Sequence, residues 1–110
     1  MALPHAHALD IIDVRPLGAA LAEAVTSSLL KAPSLQLMRL VLRAGHGLPT
    51  HRVPGAITVQ CIEGEAVVTT PSRTCRLLAG QLVMLDGGEP HAVQAVADAS
   101  LLVTVLLHTA

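Results

Sequence analysis

Beyond residue 25 the chain is written in apolar runs of five to eight residues, separated by glycine, proline and small polar residues. The runs predict strands over 26–30, 35–42, 56–63, 66–70, 74–78, 81–85, 91–96 and 100–107. Short strands recurring about every 8–12 residues, with turn residues between them, indicate an all-β sandwich or barrel. A parallel sheet would need helical crossovers, and the pattern supplies none. One short helix is predicted over 17–24, an Ala- and Leu-rich stretch whose first turn follows Pro16. Several runs are apolar at both parities. Leu101, Val103, Val105 and Leu107 share one face of the last strand, with Leu102 and Leu106 on the other. An antiparallel sheet with one wet face alternates apolar with polar, so the second face here is expected to be covered. A small barrel has little to spare for that purpose, and a homodimer through residues 26–42 and 100–107 is the expected answer.

The organisation expected is one domain: a tail over 1–9, an extension of short helix and strand over 10–34, and a barrel over 35–110. One domain also suits a length of 110 residues. His5-Ala6-His7 has the spacing of two ligands on one face of a strand, but its place in a tail favours solvation.

Composition narrows the function. Hydrophobic residues make up 52% of the chain and charged residues only 14%, which excludes intrinsic disorder. Net charge is −1 and the isoelectric point is near 6.6, so no broad basic surface exists for nucleic acid or anionic lipid. Phe, Tyr and Trp are absent, which removes base-stacking platforms and aromatic cages. The longest uncharged apolar run, 99–110, is shorter than the roughly 18 residues that a spanning helix requires. The start of the chain lacks the basic and apolar regions of a secretory signal. A cytoplasmic protein with no membrane partner is the expectation. Cys61 and Cys75 lack metal-type spacing and are expected as free thiols.

Two segments carry a recognisable motif. The first runs from Gly45 through His51 to Gly64, and the second from Gly80 through Gly88 to His91. Together they resemble the two motifs of the cupin superfamily. The first of these is Gly, five residues, His-x-His, three or four residues, Glu, six residues and Gly. The second is Gly, five residues, Pro-x-Gly, two residues, His, three residues and Asn. The resemblance spans about residues 35–107 and implies an all-β, double-stranded β-helix (jelly-roll) barrel of the small, RmlC-like, single-domain kind. In metal-binding cupins three His and one Glu point into the barrel. Here Val53 stands in place of the second His and Ile57 in place of the Glu, while Asp86 and Ala95 replace the Pro and Asn of the second motif. Branched aliphatics bind no metal.

Two readings of the lumen follow. His51, Val53 and Ile57 share parity and should face the same interior, with Cys61 on the same side. With His91 they would form an aliphatic ligand pocket holding a small molecule. Alternatively, His46 folds back over the mouth across the Gly47-Leu48-Pro49 bend. It would then complete a three-His site with His51 and His91 for Zn, Mn, Fe, Cu or Ni, the basis of a dioxygenase- or isomerase-like enzyme. The epimerase branch of the family uses a Tyr acid, and this chain has none. The remaining polar residues are expected at the surface. Glu63 and Glu65 flank a hairpin turn at Gly64, and Asp86 accepts bonds from the turn before His91. Arg39 and Arg43 either face an anion in the lumen or pair at a subunit rim.

Overall fold

The structure is a computed structural model that describes residues 5–107. Of the predicted tail, residues 1–4 lie outside the described residues, as do residues 108–110 of the predicted barrel. Among the described residues there are seven strands, all antiparallel where they pair: β1 (Ser27–Lys31), β2 (Leu35–Leu42), β3 (Gly47–His51), β4 (Ile57–Thr69), β5 (Thr74–Leu78), β6 (Leu82–Leu85) and β7 (His91–Leu106). A 3₁₀ helix over Gly18–Glu23 precedes them.

The two long strands, β4 and β7, run through both walls of the barrel. Residues 57–61 of β4 pair with 101–105 of β7, and this half is flanked by β6 on one side and by β2 then β1 on the other. Residues 66–69 pair with 92–95, and this half is flanked by β5 and β3. The result is an all-β barrel, as the strand pattern indicates, of the jelly-roll kind that the cupin resemblance implies. Its core lies between the two halves and includes Leu40, Val59, Val68, Val93 and Leu101.

Two predicted breaks prove to be bends within continuous strands. The sequence suggested a hairpin at Gly64, yet β4 continues through it, with register shifts between Cys61 and Ala66. The burial pattern records the slip. Positions 57, 59 and 61 are buried before Gly64, and 66 and 68 after it. A change from odd to even parity is the mark of an extra residue bulged out of the ladder. Gly64 adopts φ +81°, and a Cβ there would lie 2.1 Å from the Asp98 carbonyl oxygen. Only glycine lets β4 bend so close to β7. The predicted 91–96 and 100–107 strands likewise merge into β7, bending opposite this point.

The N-terminal segment is tied to the barrel rather than frayed. Ala6 N–H donates to Leu29 O (2.9 Å) in a parallel bridge to β1, and His5 Nε2 lies 2.8 Å from Ser28 Oγ. The predicted helix is a short 3₁₀ helix held by a charge at each end. Glu63 accepts from Leu17 N–H (2.8 Å) and Gly18 N–H (3.0 Å) at its start. Arg43 donates to Leu21 O (2.9 Å) and Ala24 O (3.0 Å) at its finish. An anion at the first turn and a cation at the last both complement the helix dipole.

These contacts correct two expectations. Glu63 is not a solvated turn residue: besides the two amides it accepts the Ser100 hydroxyl at 2.5 Å. Arg39 is buried and donates to Ser100 Oγ and Asp13 O, both at 3.3 Å, and neither arginine lines the lumen. Glu65 pairs with Arg76 at 2.6 Å. Asp86 contributes its backbone carbonyl to the turn before His91, accepting from Glu89 N–H at 3.2 Å.

Burial pushes the Glu63 carboxyl up, but the Leu17 N–H, the Ser100 hydroxyl, the Gly18 N–H and the Arg39 charge outweigh it. The pKa is held below the ordinary 4.5. A depressed folded-state pKa gives stability that is present above the unfolded value and lost as pH falls through the folded one. Glu63→Gln is therefore expected to cost on the order of 1–3 kcal/mol near neutrality. It should also flatten the loss of stability below about pH 4.5, as read from urea midpoints between pH 7 and pH 3.

Candidate functional site

The lumen opens as a cavity of about 400 Å³ between the two halves of the barrel. Its walls come from alternate residues of three strands: Gln36, Met38 and Leu40 of β2, Ile57 and Val59 of β4, and Val103 and Val105 of β7. His51 closes β3 and His91 opens β7, and the register pairs the two directly. Val53 lies just beyond β3, where its carbonyl accepts from Gly88 N–H (2.8 Å) and so ties the mouth to the turn before His91.

The two imidazoles meet at the mouth. Their ring centroids are 4.4 Å apart and the planes are tilted by 59°. His91 is 3% exposed, whereas His51 is open to solvent. His51 Nδ1 lies 3.1 Å from Pro49 O, and His91 Nδ1 lies 2.9 Å from Glu89 O. In both cases the partner is the carbonyl two residues upstream. Among the described residues Gln36 is the one further polar side chain on the wall, and no carboxylate, hydroxyl or cationic side chain lines the cavity.

Of the residues singled out from the sequence, His51, His91, Val53 and Ile57 converge on this cavity. Two others do not. His46 is exposed and absent from the lining. The predicted Gly-Leu-Pro bend is strand β3: His46 O accepts from Ala95 N–H while His51 pairs with His91, so the two stand four β7 residues, roughly 13 Å, apart rather than folded together. Cys61 has the expected parity but lies deeper than the cavity. It is fully buried, and its thiol donates to Glu63 O (3.4 Å) and Gly64 O (3.6 Å). Burial and then the Glu65 charge push its pKa up, so it remains a neutral thiol. Both cysteines are free. Gln36, Met38, Leu40, Val59, Val103 and Val105 were not anticipated as lining. Their even spacing on β2, β4 and β7 was visible, but which parity faces inward depends on pairing.

The cupin motif implies a metal held by three His and one Glu. The residues present do not fit it. The lumen offers two ring nitrogens, Val53 and Ile57 stand in the other two places, and no group of three His, Cys, Asp or Glu able to hold a metal occurs among the described residues. The His46 route to a third ligand is closed by β3.

Comparison with solved structures identifies the architecture. A conserved protein of unknown function from Streptococcus pyogenes superposes with a TM-score of 0.75 at 23% identity, over 100% of this chain and 97% of that one. A cupin superfamily protein from Desulfitobacterium hafniense gives a TM-score of 0.75 at 17% identity, over 89% and 95%. Salicylate 1,2-dioxygenase from Pseudoaminobacter salicylatoxidans gives 0.68 at 22% identity, over 73% of this chain but 25% of that one. No family model matches the sequence, and no curated protein matches it. The fold is that of a small cupin, with its motif histidines at the barrel mouth and aliphatic residues at the other two ligand positions. No helix among the described residues is long and apolar enough to cross a membrane.

The vacated ligand positions give a direct test. Val53→His with Ile57→Glu restores the family's donor set at the lumen. The double variant is expected to bind Mn, Ni or Zn orders of magnitude more tightly than wild type, because lone-pair donors replace hydrocarbon. Without metal it should melt lower, since a buried, unpartnered carboxylate is unfavourable. Calorimetric titration and melting with and without metal check both. His46→Ala should change neither.

Proposed function

We propose that this protein binds a small, largely apolar molecule in the barrel lumen. The observation that carries the reading is the cavity itself: about 400 Å³, walled by aliphatic side chains, with two imidazoles at its mouth. Ligand sites commonly enclose about 300–1,000 Å³ and combine apolar walls with a few convergent polar groups. The replacement of two family ligand positions by Val53 and Ile57 fits a site specialised for hydrocarbon contact rather than for a metal.

The alternative, a metal-dependent enzyme with a His-only site, would have two ring nitrogens to work with once His46 is turned outward. The similarity to a dioxygenase, at 22% identity, is a likeness of fold, and fold by itself carries no chemistry. Lumen binding is tested by calorimetry with 4-tert-butylphenol, a compact molecule of suitable size. Wild type is expected to bind it, and Val103→Phe, which fills the cavity from β7, should weaken binding at least tenfold while the protein stays folded by circular dichroism. Absence of binding to wild type at millimolar concentration would remove the reading.

We also propose that two copies pair through the outward face of the sheet formed by β1, β2, β7, β4 and β6. Cross-strand register aligns Leu30, Leu37, Thr104, Thr58 and Met84 in one row, Leu102, Gln60 and Leu82 in the next, and Leu35 with Leu106 in a third. Met84, Leu82 and Leu106 are more than half exposed. The one charged residue on these rows, Arg39, is buried under the N-terminal segment. Five strands about 4.8 Å apart and six residues about 3.3 Å long make a face of roughly 24 by 20 Å. Two such faces would bury about 1,000 Å², the size at which specific interfaces begin. Light scattering is expected to give twice the 11.4 kDa chain mass at micromolar concentration, and Leu82→Glu with Met84→Lys to give the single-chain mass. A wild-type protein of 11.4 kDa under those conditions would exclude the pairing.

A further inference from the structure

The two histidines at the mouth are held in the same way, and the way they are held limits what they can recognise. Each Nδ1 sits within hydrogen-bond distance of a backbone carbonyl, Pro49 O for His51 and Glu89 O for His91. A carbonyl oxygen only accepts. Each neutral ring must therefore carry its proton on Nδ1 and leave Nε2 as a bare lone pair. Two acceptors thus stand side by side at the end of a hydrocarbon cavity, on rings 4.4 Å apart. Among the described residues the wall provides no lysine, arginine or hydroxyl to receive an anion or a ketone, and Gln36 of β2 is the sole side-chain amide.

From this geometry we infer that the lumen selects a neutral molecule bearing a hydroxyl or N–H donor on an otherwise hydrocarbon frame. The inference rests on the lumen being the binding site and adds the chemical class of the ligand. A hydroxyl at the cavity end of the ring pair donates to an Nε2. A ketone in the same place meets two lone pairs and no donor. A carboxylate meets them with a full negative charge in addition. Size is limited as well. At about 30 Å³ for each water-sized group, the cavity takes roughly a dozen non-hydrogen atoms, which suits a monocyclic or short branched alcohol or phenol.

A matched series separates this inference from the reading beneath it. The probes are 4-tert-butylcyclohexanol, 4-tert-butylcyclohexanone and 4-tert-butylbenzoate. Binding is followed by NMR shifts of the Ile57, Val59, Val103 and Val105 methyl groups, which report the lumen directly. The alcohol is expected to bind about five- to tenfold more tightly than the ketone, the worth of one hydrogen bond of about 1 kcal/mol or slightly more, and the benzoate more weakly still. His51→Leu with His91→Leu should bring alcohol and ketone to within about twofold. Independently of any variant, imidazole ¹⁵N shifts of the wild-type protein should show Nδ1 protonated and Nε2 bare on both rings. If alcohol and ketone move the methyl groups with equal affinity, the lumen binds apolar molecules and the donor selectivity is wrong. Tighter binding of ketone or benzoate, or an Nε2–H tautomer on either ring, also overturns it. If none of the probes moves the methyl groups, the lumen-binding reading fails and takes this inference with it.

Discussion

Gly64 of β4 lies so close to the Asp98 carbonyl and the Ala99 Cα of β7 that a methyl group in place of its hydrogen would overlap the backbone. This contact lets both long strands turn from one wall of the barrel into the other without breaking. A chain that ended β4 here in a hairpin would lose the continuous ladder on which β2, β3, β5 and β6 are hung. Beside the bend, Glu63 gathers two amides and a hydroxyl, and Ser100 is in turn within reach of Arg39. The carboxylate is half-buried, and its bonds to N–H and O–H groups replace the water it gives up. The N-terminal helix is thereby fastened to the same place where the strands bend.

The bend also sets the geometry of the site. Because β4 and β7 cross between walls, Ile57 and Val59, Val103 and Val105, and Met38 and Leu40 lie side by side on one wall of the lumen, with Val93 of β7 on the other. The pairing of β3 with the start of β7 then places His51 against His91 at the rim. One carbonyl from its own loop fixes each Nδ1, which is the device by which metal sites orient their ligands. Here the device remains, while two of the family's four donors have become hydrocarbon.

The arginines show how the same sequence feature can serve a different end. Arg39 of β2 and Arg43 just beyond it share parity and suggested either an anion site in the lumen or a pairing at a subunit rim. Their guanidinium groups instead serve backbone carbonyls at Asp13, Leu21 and Ala24, with Arg39 also reaching Ser100. A long, flexible cation finds its partner in three dimensions, and the segment it secures is 19 to 26 residues away in the chain.

The sequence by itself determined the class of fold. Alternation of period two, Gly and Pro at regular intervals and the spacing of Gly45, His51, Gly64, Gly80, Gly88 and His91 specify a cupin-like barrel, because these signals are local and each is tied to a backbone requirement. Strands β2 and β5 are legible to the residue. So is the loss of two ligand positions, since Val53 and Ile57 can be read directly. What the tertiary structure decided was everything that depended on which parity faces inward and on how far extended chain carries a side chain. β3 was hidden because Pro49 and two exposed polar residues within it carry no apolar alternation, and with it went the distance between His46 and the lumen. Gly64 reads equally as a turn or as a bulge, because both require the same left-handed backbone. Only the approach of β7 on its far side selects the bulge, and Cys61 is thereby carried past the cavity into the core.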